Sequence, residues 1–455
     1  MSSANHHTHT RSLFSNKFGY ILAAAASAIG LGNLWRFPYL AAKYGGGTFL
    51  ITYIVLVLTL GFTLSITENS LGRKTGKSAI LAFREFGKKY TFIGVLVSVI
   101  PMIIFPYYSV IGGWVLKYFA TYARGGHASA IEDGFFGSFI SSTAEPLIWT
   151  AIFLAFVFMV VAFGVNRGIE KSNRVMMPLL LVLLIAISIY GLFLPGAIDG
   201  LKYFLIPDFS KFSPALVLAA MGQMFYSLSL AMGILITYGS YLDKKEDLEK
   251  SVAQVDMLDT VVSILAGLMI IPAVFAVAGP ENLGAGPSLM FITLPKVFNH
   301  MGAPDLVGSA FFLLVFFAAA TSAISLLETI VSIFCDATKM SRKKALAIIA
   351  CISVALAVPS SLGYGIWANF KILGMQVLDF MDFISNSLLM PIAAFLTCVF
   401  VGWIIGAKAI HDEITLSSRF KTQKTYRIMV KYVAPILVLL ILASSMLSAF
   451  GLLSL

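Results

Sequence analysis

The sequence predicts an all-α polytopic membrane protein built as an inverted five-plus-five helix repeat, with helices 1 and 6 broken at mid-membrane and one extra C-terminal helix. Three observations carry this. Hydrophobic residues make up 58% of 455 residues and charged ones 12%, against about 25% charged in typical soluble domains. Apolar runs of helical length alternate with Lys/Arg clusters along the chain. Two of those runs, five spans apart, are interrupted by glycine and hydroxyl residues that a plain anchor would not need.

The apolar runs give eleven candidate spans, at 18–42, 49–66, 92–119, 146–165, 176–194, 215–241, 258–278, 306–334, 345–358, 378–405 and 432–455. They divide the chain into an N-terminal tail at 1–17, a ten-helix core at 18–407 and a linker with the eleventh helix at 408–455. Within the core the first repeat covers about 18–196 and the second about 211–407, although no letter-by-letter repeat is visible.

Lys and Arg set the orientation, because cytoplasmic loops carry their excess. With the N-terminus inside, 24 of the 32 fall in cytoplasmic segments, and an odd span count puts the C-terminus outside. The net charge of +10 is then a topology signal, attracted to anionic inner-leaflet lipid rather than to nucleic acid. Cys335, Cys351 and Cys398 sit within spans or at an inner helix end, so no extracellular disulfide framework is expected. The first residues lack a signal-peptide core, and His6, His7 and His9 read as a solvated tail.

Span 1 departs from its own pattern at Ser27, Gly30, Gly32, Asn33 and Arg36. Unwound backbone survives at that depth only where it lines a protein-enclosed site. Free carbonyls at the break can hold a cation, while the second half-helix points partial positive charge at an anion. The alternative is a kink for close packing through small residues. Span 6 repeats the pattern in GQMFYSLSLAMG, 222–233, with three hydroxyl residues in four positions.

GLGNLWRFP at 30–38 and GGGTF at 45–49 resemble the signature of the neurotransmitter:sodium symporter family, in its bacterial amino-acid transporter branch of eleven-helix type. The resemblance extends over nearly the whole chain. It implies a sodium-coupled secondary active symporter that imports an amino acid by alternating access, with two Na+ sites. The chain stops one helix short of the family's usual twelve, and a monomer is expected to suffice.

The resemblance also implies roles. Ser27, Ala28, Gly30, Ile104, Tyr108, Tyr226, Ser227, Ser229, Met232, Ser322 and Leu326 would form the substrate pocket. In it Tyr108 would bond the substrate carboxylate, Ile104 would wall the side-chain pocket and Tyr226 would act as an aromatic lid. Without the resemblance, Ile104 and Tyr108 read as packing residues. Ala28, Asn33, Ser227 and Asp259 would hold the first sodium. Ala26, Ile29, Ala318, Thr321 and Ser322 would hold the second, against the alternative that the two hydroxyls bond back to their own helix. Arg36 and Asp382 would gate the outer vestibule, Arg11 and Asp336 the inner face with Ser240 and Tyr241 nearby, while Asp379 stays ambiguous.

Glu68 is costly within span 2 unless protonated or hydrogen-bonded. It reads as a support for the broken helices from behind, or as a purely structural inner-face group. Gly168 and Pro178 bracket an inner end of span 5 that could unwind to admit cytoplasmic water, or a simple loop-to-helix transition. Asp259 enters apolar sequence without a partner, and sodium is its natural counter-ion. Family members that place Asn there, with a Ser four residues on, bind chloride; others carry the acid at the later position. This chain keeps Ser263 and has its acid at 259, so a mobile anion becomes unnecessary and no chloride requirement is expected.

Gly30 selects the substrate class by the same resemblance, since the family's amine transporters have Asp there. With Gly, the ligand supplies its own carboxylate. The pocket set contains no acid or base, which favours a neutral, hydrophobic or aromatic L-amino acid, and Met232 adapts to several sizes. An intramembrane enzyme would need paired acids or His with an acid at depth, yet His127, His300 and His411 lie in loops. A channel is disfavoured by two occluding half-helix sites and charged gates. An amino-acid sensor on the same scaffold is the alternative.

Overall fold

The computed structural model describes residues 14–277, 279 and 287–449. Among them nine continuous helices are long and apolar enough to cross a membrane, and one bent pair joins them. The bent pair is α1, whose halves Lys17–Ala28 and Gly32–Lys43 meet at 54°. The continuous helices are α2 (Gly47–Thr75), α3 (Lys88–Ala123), α4 (Glu145–Ala162), α5 (Val165–Leu192), α7 (Leu248–Val277), α8 (Pro304–Thr338), α9 (Arg342–Leu362), α10 (Val377–Ile404) and α11 (Gln423–Ser448). Between α5 and α7 runs α6, in two pieces, Pro214–Ser227 and Ile234–Gly239.

With the two-piece α6 counted beside the bent α1 and the nine continuous helices, the described residues match the eleven expected spans, and the first helix of each set of five is the broken one. In α1 the break falls at Ile29, whose backbone is extended, before the chain resumes as a wide π turn over Gly32–Arg36. In α6 the six residues between the halves include Ser229, Ala231 and Gly233, all with positive φ. A left-handed conformation costs an L-residue with a side chain about 1–2 kcal/mol, so Ser229 and Ala231 must be held by their surroundings.

Several helices exceed their apolar runs. α5 starts at Val165 rather than at 176, because the polar stretch Val165–Glu170 is wound as a π turn continuous with the helix. The Gly168–Pro178 segment is thus closed in this structure, with Pro178 accommodated inside α5. α7 and α11 likewise begin ahead of the expected 258 and 432, where hydropathy falls but backbone bonding continues. Helices emerging from a bilayer need no apolar side chains at their ends.

Packing separates an inner set from an outer one. α3 and α8, the longest helices, run along each other beside α1, and every residue of α1 from Gly19 to Ala28 is buried. By contrast only 39% of the apolar window of α4, α5, α9 and α11 is covered by protein, which leaves their remaining faces to lipid. α2 and the second half of α6 approach through glycines: a Cβ on Gly72 would strike the Ile236 carbonyl, and one on Gly239 the backbone of Asn69. All three cysteines are free thiols.

Candidate functional site

The two breaks turn their loose backbone groups toward each other. At the α1 break the Ser27 carbonyl accepts the hydroxyls of Ser229 at 3.3 Å and Ser322 at 3.0 Å, and Ser322 also reaches the Ile29 carbonyl at 3.2 Å. Gln223 Nε2 donates to the Gly32 carbonyl at 3.1 Å. On the α6 side Glu68 Oε1 accepts the Ala231 amide at 2.7 Å. Neighbouring side chains thus meet backbone groups at both breaks, as the absence of water at this depth demands.

Between the breaks lies a cavity with about 370 Å³ of empty space. Of the residues expected around a substrate, Ser27, Ala28, Gly30, Ile104, Tyr108, Tyr226, Ser229, Met232, Ser322 and Leu326 all line it, joined by Leu31, Gly32, Asn33 and Ile234. Ser227 does not; its hydroxyl turns away to Asp259. No lining side chain is charged. A Cβ on Gly30 would stand 2.7 Å from Ser322 Oγ and 3.1 Å from Tyr108 Oη, so the glycine keeps open the space between those two hydroxyls. Tyr108 Oη accepts a long 3.4 Å bond from Leu31 N–H, and Ser27 Oγ is buried without a partner among the described residues.

Beside the cavity Asp259 is fully buried. Ser227 Oγ reaches its two oxygens at 2.9 and 2.8 Å, Asn33 Nδ2 donates to Oδ1 at 2.7 Å, and Tyr53 Oη to Oδ2 at 3.2 Å. Asn33 Nδ2 also reaches Ser263 Oγ at 2.8 Å, while its Oδ1 accepts the Gly30 amide at 2.9 Å. The acid is thus ringed by neutral donors alone. Ala28 lines the cavity together with Asn33.

On α8 the adjacent hydroxyls diverge. Ser322 bridges to α1, whereas Thr321 Oγ1 bonds back to the carbonyls of Phe317 at 2.9 Å and Ala318 at 3.1 Å. Ala26 and Ile29 are fully buried residues of α1 and its break.

A family model for the sodium:neurotransmitter symporters matches residues 11–124 and 138–452. The chain belongs to this family. It is 33% identical over 438 residues to an uncharacterized sodium-dependent transporter, YhdH, of Bacillus subtilis, covering 94% of this chain and 96% of that one. A counterpart from Methanocaldococcus jannaschii is 35% identical over 449 residues, covering 94% and 89%. The human sodium- and chloride-dependent GABA transporter 2 is 25% identical, covering 89% of this chain and 75% of that one. The crystal structure of MhsT in complex with L-phenylalanine superposes with a TM-score of 0.87 at 37% identity, covering 96% of this chain and all of that one. The protein is a multi-pass membrane transporter of the symporter family, not an enzyme.

Arg36 and Asp382, the expected outer gate, line one further cleft together with Tyr226. They make no direct ion pair; Arg36 lies over the Tyr226 ring, 5.5 Å from its centroid. Asp382 Oδ1 accepts instead from Tyr107 Oη at 2.9 Å and Asn386 Nδ2 at 2.6 Å. Asp379 takes the hydroxyl of Tyr364 at 2.9 Å.

On the inner face Arg11 lies outside the described residues, and Asp336 Oδ2 accepts the Ser78 amide at 2.8 Å. Tyr241 Oη donates to Glu328 at 2.8 Å, and Arg342 grips both oxygens of the same carboxylate. Phe14 closes over this layer: its amide bonds the Tyr241 carbonyl at 3.1 Å and its ring meets Tyr20, Tyr238 and Tyr241 edge-on. Ser15 then ties the segment to Glu170, which Arg174 also holds.

Sequence reasoning passed over Tyr53, Gln223, Tyr107, Asn386, Glu328 and Arg342. It also passed over Asp256, buried one turn before Asp259 with Oδ2 unpartnered among the described residues. For Glu328 and Asp256 the signal was present, since an acid inside an apolar span is a functional candidate by default. The others make contacts across helices that no local pattern records.

Proposed function

We propose that this protein is a sodium-coupled symporter that imports a neutral, hydrophobic or aromatic L-amino acid by alternating access, without a chloride requirement. The observation that carries the reading is the uncharged cavity between two helix breaks, with a buried carboxylate beside it. A zwitterion entering there finds no side chain of opposite charge, so its own charges must be met by helix ends, hydroxyls and an ion. The space kept by Gly30, between Tyr108 and Ser322, suits the ligand carboxylate. Ser27 Oγ is an unused polar group within reach, and Ile104, Met232, Ile234 and Leu326 offer an apolar surface to its side chain. The bound L-phenylalanine named for the MhsT structure supports this ligand class.

Sodium is the cargo that completes the charge balance. At the first site Asp259, Asn33 and Ser227 supply hard oxygen ligands, with the Ala28 carbonyl and the substrate carboxylate closing the shell. At the second, the carbonyls of Ala26, Ile29 and Ala318 combine with the hydroxyls of Thr321 and Ser322, Thr321 turning from its own helix when the ion binds. A shared ion makes coupling reciprocal, because each ligand then raises the affinity of the other. Asp259 brings a fixed negative charge to the first site, which removes the need for a mobile anion. Residues 18–407 form the transport core, 408–455 are peripheral to it, and the N-terminus faces the cytoplasm with the C-terminus outside.

The test is uptake into proteoliposomes. An inward sodium gradient should drive accumulation of labelled phenylalanine or leucine, equally in chloride and gluconate. Binding without accumulation would favour a sensor, and accumulation without sodium would overturn the reading.

A further inference from the structure

We propose that the cleft between the end of α10 and the start of α11 binds the phosphate of an anionic phospholipid headgroup. The cleft holds about 1180 Å³ of space, and Lys408, His411, Arg427 and Lys431 line it with no acidic residue among them. Other basic residues of this protein find carboxylates: Arg73 pairs with Glu413, Arg174 with Glu170 and Arg342 with Glu328. Among the described residues Lys408, Arg427 and Lys431 have no ion-pair partner. Converging cations without a counter-charge repel one another, and an anion brought from outside relieves that repulsion.

Two further observations shape the ligand. His411 Nδ1 is buried without a hydrogen-bond partner among the described residues, a ring nitrogen that one phosphate oxygen would satisfy. Lys431 Nζ rests 4.6 Å from the centroid of Trp403, whose Nε1 donates to the Lys431 carbonyl at 2.9 Å. The cleft is therefore floored by an aromatic of the kind that anchors helices at headgroup level.

The neighbouring surface decides between a lipid and a soluble anion. From the cleft an exposed apolar stripe runs along α11 at four-residue spacing through Ile428, Tyr432, Ile436 and Leu440. Acyl chains attached to a phosphate in the cleft would lie along it, burying apolar surface that a free ion leaves untouched. A second basic cleft, at Lys77, Arg84 and Lys88, includes the carboxylate of Glu85 and so provides a control for general attraction to anionic lipid.

The experiment follows thermal unfolding of the purified full-length protein in detergent with phosphatidylglycerol, phosphatidylcholine or inorganic phosphate at matched phosphate concentration. Phosphatidylglycerol should raise the midpoint above that in phosphatidylcholine, and inorganic phosphate should not. The triple variant Lys408→Gln, Arg427→Gln, Lys431→Gln should lose most of that increment, whereas Arg84→Gln, Lys88→Gln, Lys89→Gln should keep it. An equal midpoint in the two lipids, or an equal loss in both variants, overturns the site. A full shift from inorganic phosphate overturns the lipid as occupant. Native mass spectrometry of the wild type gives a readout that does not depend on the variants folding: one retained phosphatidylglycerol supports the site, and no preference over phosphatidylcholine overturns it.

Discussion

Glu68 Oε1 accepts the backbone amide of Ala231 at 2.7 Å, and this bond joins α2 to the one point of α6 where a residue other than glycine must turn left-handed beside a second, Ser229. Without it the Ala231 N–H would be buried and unpaired, at a cost of about 1–3 kcal/mol. Glu68→Ala should therefore lower the unfolding midpoint by a few degrees and weaken amino-acid binding, because the α6 break forms one wall of the cavity. Glu68→Gln keeps an acceptor and should retain most of both. Thermal unfolding and equilibrium binding of labelled ligand on the same preparations separate the two variants.

Gly30 gives a sharper test of where the ligand's carboxylate sits. A methyl group there would stand 2.7 Å from Ser322 Oγ and 3.1 Å from Tyr108 Oη, inside the space assigned to the carboxylate. Gly30→Ala should reduce amino-acid affinity by tenfold or more, about 1.4 kcal/mol, with little change in the unfolding midpoint measured without ligand. Unchanged affinity in isothermal titration would move the carboxylate elsewhere.

Asp259 is the fixed anion of the first sodium site proposed above. Its carboxylate is held by Asn33, Ser227 and Tyr53, none of them charged, so replacing it with an amide would leave the first sodium site without its fixed anion. Asp259→Asn should weaken sodium activation by about tenfold or more, equivalent to ~1.4 kcal/mol. Chloride should then restore part of the activity, since the introduced amide and the Ser263 hydroxyl would offer donors to a mobile anion. In the wild type, exchanging chloride for gluconate at constant sodium should leave initial uptake unchanged.

How much of this was legible in the sequence follows from which interactions are local. The spans and the two breaks are written in hydropathy and in glycine–hydroxyl clusters, whereas Ile104, Tyr108, Ser322 and Leu326, on unbroken helices, were expected at the cavity only through the family resemblance. The start of α5 was not legible, because Val165–Glu170 is polar yet wound. Ser227 was expected both in the pocket and beside Asp259; it reaches Asp259 and does not line the cavity, and spacing alone cannot say which way a side chain at the edge of a break turns. Arg11, the expected partner of Asp336, lies outside the described residues, and the Ser78 amide that the same carboxylate accepts comes from a helix cap far away in sequence, which no local pattern marks. The inner Glu328 and Arg342 lie 14 residues apart across a turn, a separation that no helical periodicity marks.

That pair supports the last prediction. Glu328 is fully buried, and its cation is Arg342, whose side chain is 30% exposed and also donates to the Val161 carbonyl at 2.8 Å. Tyr241 donates to the same carboxylate, so α6, α8 and α4 are tied at one inner point through α9. Removing one partner of a buried pair costs about 3–5 kcal/mol, and the exposed guanidinium places this case at the lower end. In Arg342→Ala the uncompensated acid should seek water, which opens the inner face. Hydrogen exchange should accelerate around Val161 and Tyr241, and uptake should fall. Adding Glu328→Gln removes the stranded charge and should return much of the exchange protection. If the double variant exchanges as fast as Arg342→Ala alone, the opening comes from lost packing of the arginine stem and not from the acid.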